Sequence, residues 1–87
     1  MKIRKDFLLK TVAGQKIVVP TGDNVVNFNA AITLNETAAF LWEQLQNECS
    51  KEELLTRMTE TYDVSQETAE KDIDVFLNVL KEQNILE

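Results

Sequence analysis

Histidine is absent from this 87-residue chain, and cysteine, proline and glycine are scarce. Without histidine the chain lacks the side chain that most often serves as general base, proton shuttle or metal ligand. The single cysteine, Cys49, has no second thiol for a disulfide and no cysteine or histidine with which to complete a zinc site. We therefore expect no catalytic residue, no metal and no cofactor.

Long apolar runs and clusters of basic residues are also missing. No segment approaches the ~18 consecutive apolar residues of a membrane-spanning helix, and the N-terminus lacks a signal-peptide core. The net charge is −6, whereas duplex binding depends on clustered lysine and arginine. We expect a cytoplasmic protein with neither a membrane nor a nucleic acid as partner.

The residues that are present suffice for one small hydrophobic core. Hydrophobic residues make up 44% of the chain and charged residues 28%, a balance typical of a globular domain and not of a disordered one. A chain of this length organises a single core. The sequence therefore predicts one domain over residues 1–87, and its lone cysteine fits a reducing compartment.

The first third of the chain has the pattern of three strands. The apolar, β-branched runs at 7–12 and 16–20 flank an Ala13-Gly14 turn, and a second turn cluster at 21–24 precedes a partly alternating run at 25–34. Short turns between successive strands indicate an antiparallel meander. We predict strands within about residues 5–34.

The remaining residues have the pattern of three helices. Asn35, Ser50 and Ser65 are good N-cap residues, and each precedes apolar residues at helical spacing. The predicted helices cover about residues 36–47, 51–61 and 66–83. A three-stranded antiparallel sheet followed by three helices is an α+β, winged-helix-like arrangement.

Two features suggest a surface that binds. The run at 25–34 is the last strand of the predicted meander and contains none of the lysines, prolines or charges that usually guard a sheet edge. On the third helix, Val75 and Val79 lie on the flank of Asp72. They border a predicted buried stripe that consists of Ala69, Ile73, Phe76, Leu77 and Leu80. A helix covering the edge, or valines packed beneath the N-terminal strands, would explain these features without binding. An open edge of the third strand beside an apolar face of the third helix would instead allow an extended peptide to bind by adding a strand to the sheet.

Residues 32–45, Ile-Thr-Leu-Asn-Glu-Thr-Ala-Ala-Phe-Leu-Trp-Glu-Gln-Leu, closely resemble the PqqD-like family. Its members share a Leu-Asn-x-Thr/Ser-Ala segment that leads into an Ile/Leu-Trp-x-x-Leu helix. The resemblance continues in order through 50–55, 62–65, 72–77 and 80–86, and covers almost the whole chain. Asn84 stands near the family's usual glycine, although asparagine also tolerates the left-handed conformation.

The resemblance implies a RiPP recognition element, which is a non-catalytic peptide chaperone. Such domains bind the leader of a ribosomally made precursor peptide and present it to a modifying enzyme, often a radical-SAM maturase. In the family the leader lies antiparallel to the third strand, in a cleft walled by the third helix. The peptide-binding residues implied here are Val25, Val26, Asn27, Phe28, Ile32, Asp72, Val75, Phe76 and Val79.

Two other classes of function fit the same predicted topology. A winged-helix DNA-binding regulator would need a basic recognition helix, whereas acidic residues outnumber lysines on the third helix. A structural adaptor subunit would join a larger enzyme without touching its substrate. An uncovered edge strand would also allow a homodimer to form edge to edge.

Overall fold

The computed structural model describes residues 1–21 and 32–87, and these residues form three strands followed by three helices. The elements are β1 (Phe7–Val12), β2 (Gln15–Pro20), β3 (Ile32–Leu34), α1 (Glu36–Gln44), α2 (Lys51–Thr61) and α3 (Gln66–Glu82). The predicted α+β class, with a three-stranded antiparallel sheet ahead of three helices, is confirmed. Most of the predicted third strand, residues 25–31, lies outside the described residues.

A tight hairpin joins β1 to β2. Val12 pairs with Gln15, which leaves Ala13 and Gly14 as a two-residue loop. Both loop residues have positive φ, 52° and 79°, the pattern of a type I′ turn, whose twist matches that of the flanking strands. β2 also pairs antiparallel with β3, and the sheet order is β1-β2-β3.

Each helix begins at the cap that the sequence predicts. The Asn35 side chain accepts a hydrogen bond at 2.8 Å from a backbone N–H of the first turn of α1. Ser50 and Glu53 form a reciprocal capping box at the start of α2, with both hydrogen bonds 3.1 Å long. Ser65 caps α3 in the same way as Asn35 caps α1. These bonds satisfy backbone donors that would otherwise have no partner within the helix.

The first helix ends at Gln44, three residues earlier than the expected residue 47. Two backbone bonds account for the early end. The carbonyl of Leu45 accepts the N–H of Ile3 at 2.9 Å, and the N–H of Gln46 turns back to the carbonyl of Glu43 at 3.3 Å. The carbonyl of Leu45 is thus used by the N-terminal segment of the chain and not by a further helical turn.

The third helix ends in a Schellman motif. Asn84 has φ 57°, its N–H donates to the carbonyl of Lys81 at 3.1 Å, and the N–H of Ile85 donates to the carbonyl of Leu80 at 2.9 Å. Asparagine therefore fills the left-handed position that glycine most often occupies in this motif. The turn directs Ile85 into the core, where it is fully buried.

The two ends of the chain pair with each other. Ile3 forms an antiparallel bridge with Leu86, the N–H of Arg4 donates to the carbonyl of Ile85, and the N–H of Glu87 donates to that of Lys2, both at 2.8 Å. The sequence patterns did not predict this bridge.

The core lies between the inner face of the sheet and the three helices. Its most deeply buried side chains are Val18, Leu41, Leu45, Cys49, Leu54, Met58, Ile73, Leu80 and Ile85. Among the described residues no polar or charged residue is buried. None of the helices in these two ranges is long and apolar enough to cross a membrane.

Candidate functional site

The third helix presents two apolar surfaces with different environments. The predicted stripe of Ala69, Ile73, Phe76, Leu77 and Leu80 is buried. On the adjacent flank, Val75 is 62% exposed and Val79 is half-buried. Val75 is therefore not packed beneath the N-terminal strands, so that explanation of the flank does not apply to Val75.

Beside this flank lies the end strand of the sheet. Within the described residues β3 pairs with β2 alone, with Ile17 opposite Thr33 and Val18 opposite Ile32. Leu34 points into the core, Ile32 is half-buried and Thr33 is exposed. The side of β3 away from β2 therefore has no strand partner among these residues, and an unpaired strand side is a template for further pairing.

A groove of about 270 Å³ runs between β3 and α3. One wall is formed by α3 residues at the i, i+3, i+4 and i+7 spacing of a single helical face, namely Asp72, Val75, Phe76 and Val79. Ile32 lies on the strand side. The structure thus brings five of the nine predicted site residues into one groove. The other four, Val25, Val26, Asn27 and Phe28, lie outside the described residues.

The groove also contains residues that the sequence did not single out. Ala38 and Leu41 of α1 line it, together with Thr33, Leu34, Asn35 and Thr37. The sequence indicated part of this lining, because α1 starts directly after β3 and its first turns therefore begin next to that strand. Ala38 is only half-buried, and it borders the groove.

The side chains that line the groove are mainly apolar. Two of the polar ones, Asn35 and Asp72, differ in whether they already have a partner within the protein. Asn35 is occupied as the cap of α1, because its side-chain oxygen accepts from Thr37 Oγ1 at 3.0 Å as well as from the backbone. Among the described residues of the lining, Asp72 alone is charged. This part of the groove therefore combines apolar contact area with the negative charge of Asp72 and a side of β3 that has no strand partner among the described residues.

A larger depression, of about 710 Å³, lies between the β1–β2 turn and α1. Its lining includes the charged residues Lys16, Glu36 and Glu43, and the ring of Phe40 meets that of Tyr62 edge to face at 5.4 Å. It is more open than the groove and has no continuous apolar helix wall. We place the candidate site in the smaller groove, because there an apolar helix face lies beside the side of β3 that has no strand partner among the described residues.

Cys49 has the environment of a structural residue. Its side chain is buried, and Arg57 Nη1 lies 3.5 Å from its sulfur. Burial raises the pKa of the Cys49 thiol although the charge of Arg57 opposes the shift, so the reactive thiolate is disfavoured at neutral pH. Among residues 1–21 and 32–87, no three His, Cys, Asp or Glu side chains are grouped so that they could hold a metal ion.

Comparison with known proteins gives a family and a fold. The family model described as coenzyme PQQ synthesis protein D (PqqD) matches residues 16–86. The solved structure of TbiB1 in complex with the TbiA(beta) leader peptide is similar with a TM-score of 0.77 at 21% identity, covering 100% of this chain and 95% of that one. A lasso peptide synthetase B1 complexed with the leader peptide has a TM-score of 0.73 at 23% identity, covering 97% and 93%. No curated protein sequence matches the chain.

Proposed function

Because this chain belongs to the PqqD family, we propose that it is a non-catalytic peptide chaperone for a ribosomally synthesised precursor peptide. It binds the leader of the precursor by β-strand addition and presents it to a modifying enzyme. One observation supports this proposal above the others: the unpaired side of β3 faces an apolar groove walled by α3. The two solved structures with the same fold both hold leader peptides.

In this proposal the peptide backbone forms a new antiparallel ladder along β3. Backbone hydrogen bonds supply affinity that depends little on sequence, and alternate side chains enter the groove and supply specificity. Ile32, Val75, Phe76 and Val79 provide the apolar contacts. By the family resemblance we extend the binding strand to Val25, Val26, Asn27 and Phe28.

In this proposal the chain presents the peptide and does not catalyse its modification. It contains no histidine, and burial disfavours ionisation of its only thiol. The chemistry therefore belongs to a partner, which we propose to be a radical-SAM or other peptide-modifying enzyme acting in the cytoplasm. Peptide binding and an edge-to-edge homodimer would use the same side of β3 and would compete.

The test is a calorimetric titration with a synthetic peptide that covers the leader encoded beside this gene, N-methylated at one backbone nitrogen at a time. In an added strand only every second residue directs its N–H toward the neighbouring strand. We expect affinity to fall on the order of tenfold at alternate positions, because each such change leaves a carbonyl of β3 unpaired. Positions between them should tolerate the methyl group.

N-methylation outside the bound segment is the control and should leave the affinity unchanged. If affinity survives methylation at every position, or falls with the spacing of a helix, strand addition is wrong.

A further inference from the structure

Asp72 has an unusual position among the acids of α3. It is exposed at the rim of the groove, and the ion pairs of the described residues do not include it. A helical side chain finds local partners three and four residues away. At those distances from Asp72 stand Thr68, Ala69, Val75 and Phe76, none of which is a cation.

The neighbouring acids of the same helix are paired. Lys51 of α2 lies 2.6 Å from a carboxylate oxygen of Asp74 and 3.7 Å from one of Glu70. The hydrogen bond to Asp74 is also the main reason that the pKa of Lys51 is raised. Lys51 therefore offsets part of the charge of these two acids within the fold, whereas Asp72 has no such partner among the described residues and borders the groove.

The spacing of the groove wall sets where a matching charge would stand in a bound strand. From Asp72 the helix rises about 4.5 Å to Val75 and about 6 Å to Phe76. Side chains on one face of a strand stand two residues apart, at about 6.6 Å. A strand lying along this wall therefore places one side chain beside Asp72 and the next of the same face beside Val75 and Phe76.

We propose that Asp72 makes the groove selective for leader segments that carry a lysine or arginine two positions from a large apolar residue. This inference rests on the proposed function and specifies its ligand. The apolar residue fills the space along Val75 and Phe76, and the basic residue pairs with the Asp72 carboxylate. A leader segment with an acidic residue at that position is rejected by like charge.

A selection from random 12-residue peptides displayed on phage tests the inference with defined probes. Against the wild-type chain we expect enriched sequences to share a basic residue at a fixed two-residue spacing from a large apolar one. Against Asp72→Asn the apolar preference should persist and the basic preference should be lost. Asp72→Lys should replace it with an acidic preference.

Asp74→Asn is the matched control, because it removes the same charge from the same helix outside the groove. A general attraction of basic peptides to the acidic chain would weaken equally in both variants and would show no fixed spacing. For one selected peptide, replacing its lysine with glutamine should lower the affinity for the wild-type chain by up to about fivefold, the upper end of the range of a solvent-accessible ion pair. The same replacement should have no effect with Asp72→Asn, and added salt should reduce the difference.

The outcomes separate this inference from the proposed function. Enriched peptides that lose affinity for Val75→Asp but show no basic preference would overturn the role of Asp72 and leave strand addition in the groove intact. Peptides that bind Val75→Asp as well as they bind wild type would overturn both.

Discussion

The buried stripe and the exposed flank of α3 are made from the same kinds of residue but have different surroundings. Ile73 and Leu80 are fully buried, whereas Val75 is 62% exposed although it lies between them in the sequence. An apolar side chain that is shielded from water stabilises the fold, whereas one left in water adds little to it. The difference indicates that the stripe maintains the structure, and that the flank is available to a ligand.

The largest expected effect belongs to the buried stripe. Leu80→Ala should lower the free energy of unfolding by about 2–5 kcal/mol, because it removes a fully buried side chain and leaves a cavity. Urea denaturation followed by circular dichroism measures the change. The molecules that remain folded should bind the peptide with normal affinity, and a selective loss of affinity in them would contradict the division between the two surfaces.

The flank should show the opposite behaviour. Val75→Asp should change the free energy of unfolding by no more than about 0.5 kcal/mol, as is usual for an exposed position. It should nevertheless weaken peptide binding on the order of tenfold, because a charge would replace apolar contact area in the groove. Calorimetry and urea denaturation of the same samples measure both quantities.

Val12→Asp is the matched control for this prediction. Val12 is 52% exposed, is the last residue of β1 and is not among the residues that line the groove. The control should bind the peptide as the wild type does. Equal losses of affinity in the two variants would mean that the added negative charge acts at a distance. The groove could then no longer be assigned as the peptide-binding site.

A smaller effect is expected on the pH dependence of stability. It involves Glu53, which belongs to neither the buried stripe nor the exposed flank of α3. Hydrogen bonds from Ser50, first from its backbone N–H and then from its side chain, hold the pKa of Glu53 below its ordinary value. A carboxyl whose pKa is lowered by folding contributes stability above its ordinary pKa of about 4.3, and that contribution is lost as the pH falls through the lowered value. Glu53→Gln should therefore lose less stability than the wild type between pH 7 and pH 3.

The control here is Glu60→Gln, an exposed acid on the same helix without a hydrogen bond or ion pair among those of the described residues. It should follow the pH dependence of the wild type in urea denaturation. If both variants change the dependence equally, the capping box is not its source. Peptide affinity at pH 7 should be unchanged in both, because α2 contributes no residue to the groove lining.

Local signals made most of the fold predictable. The caps at Asn35, Ser50 and Ser65 use side-chain and backbone groups within three residues of each other. A short stretch of sequence is therefore enough to predict where each helix begins. The buried stripe of α3 follows from helical periodicity alone. The Schellman turn at Asn84 was also accessible, because asparagine is the usual alternative to glycine at a left-handed position.

The features that were missed depend on contacts distant in sequence. The bridge between Ile3 and Leu86 joins the two ends of the chain, and its backbone hydrogen bonds require no particular side chains. The same segment ends α1 early, through the bond from Ile3 to Leu45. The part of the groove formed by Ala38 and Leu41 depends on how α1 packs against α3, which periodicity within either helix does not specify.

The most direct test of strand addition in the groove is a nuclear Overhauser measurement between the isotope-labelled protein and the unlabelled leader peptide. We predict contacts between the peptide backbone and the backbone of Ile32–Leu34, with alternate peptide side chains close to the methyl groups of Val75 and Val79. Contacts confined to the surfaces of α1 and α2, or a bound peptide in a helical conformation, would contradict the account.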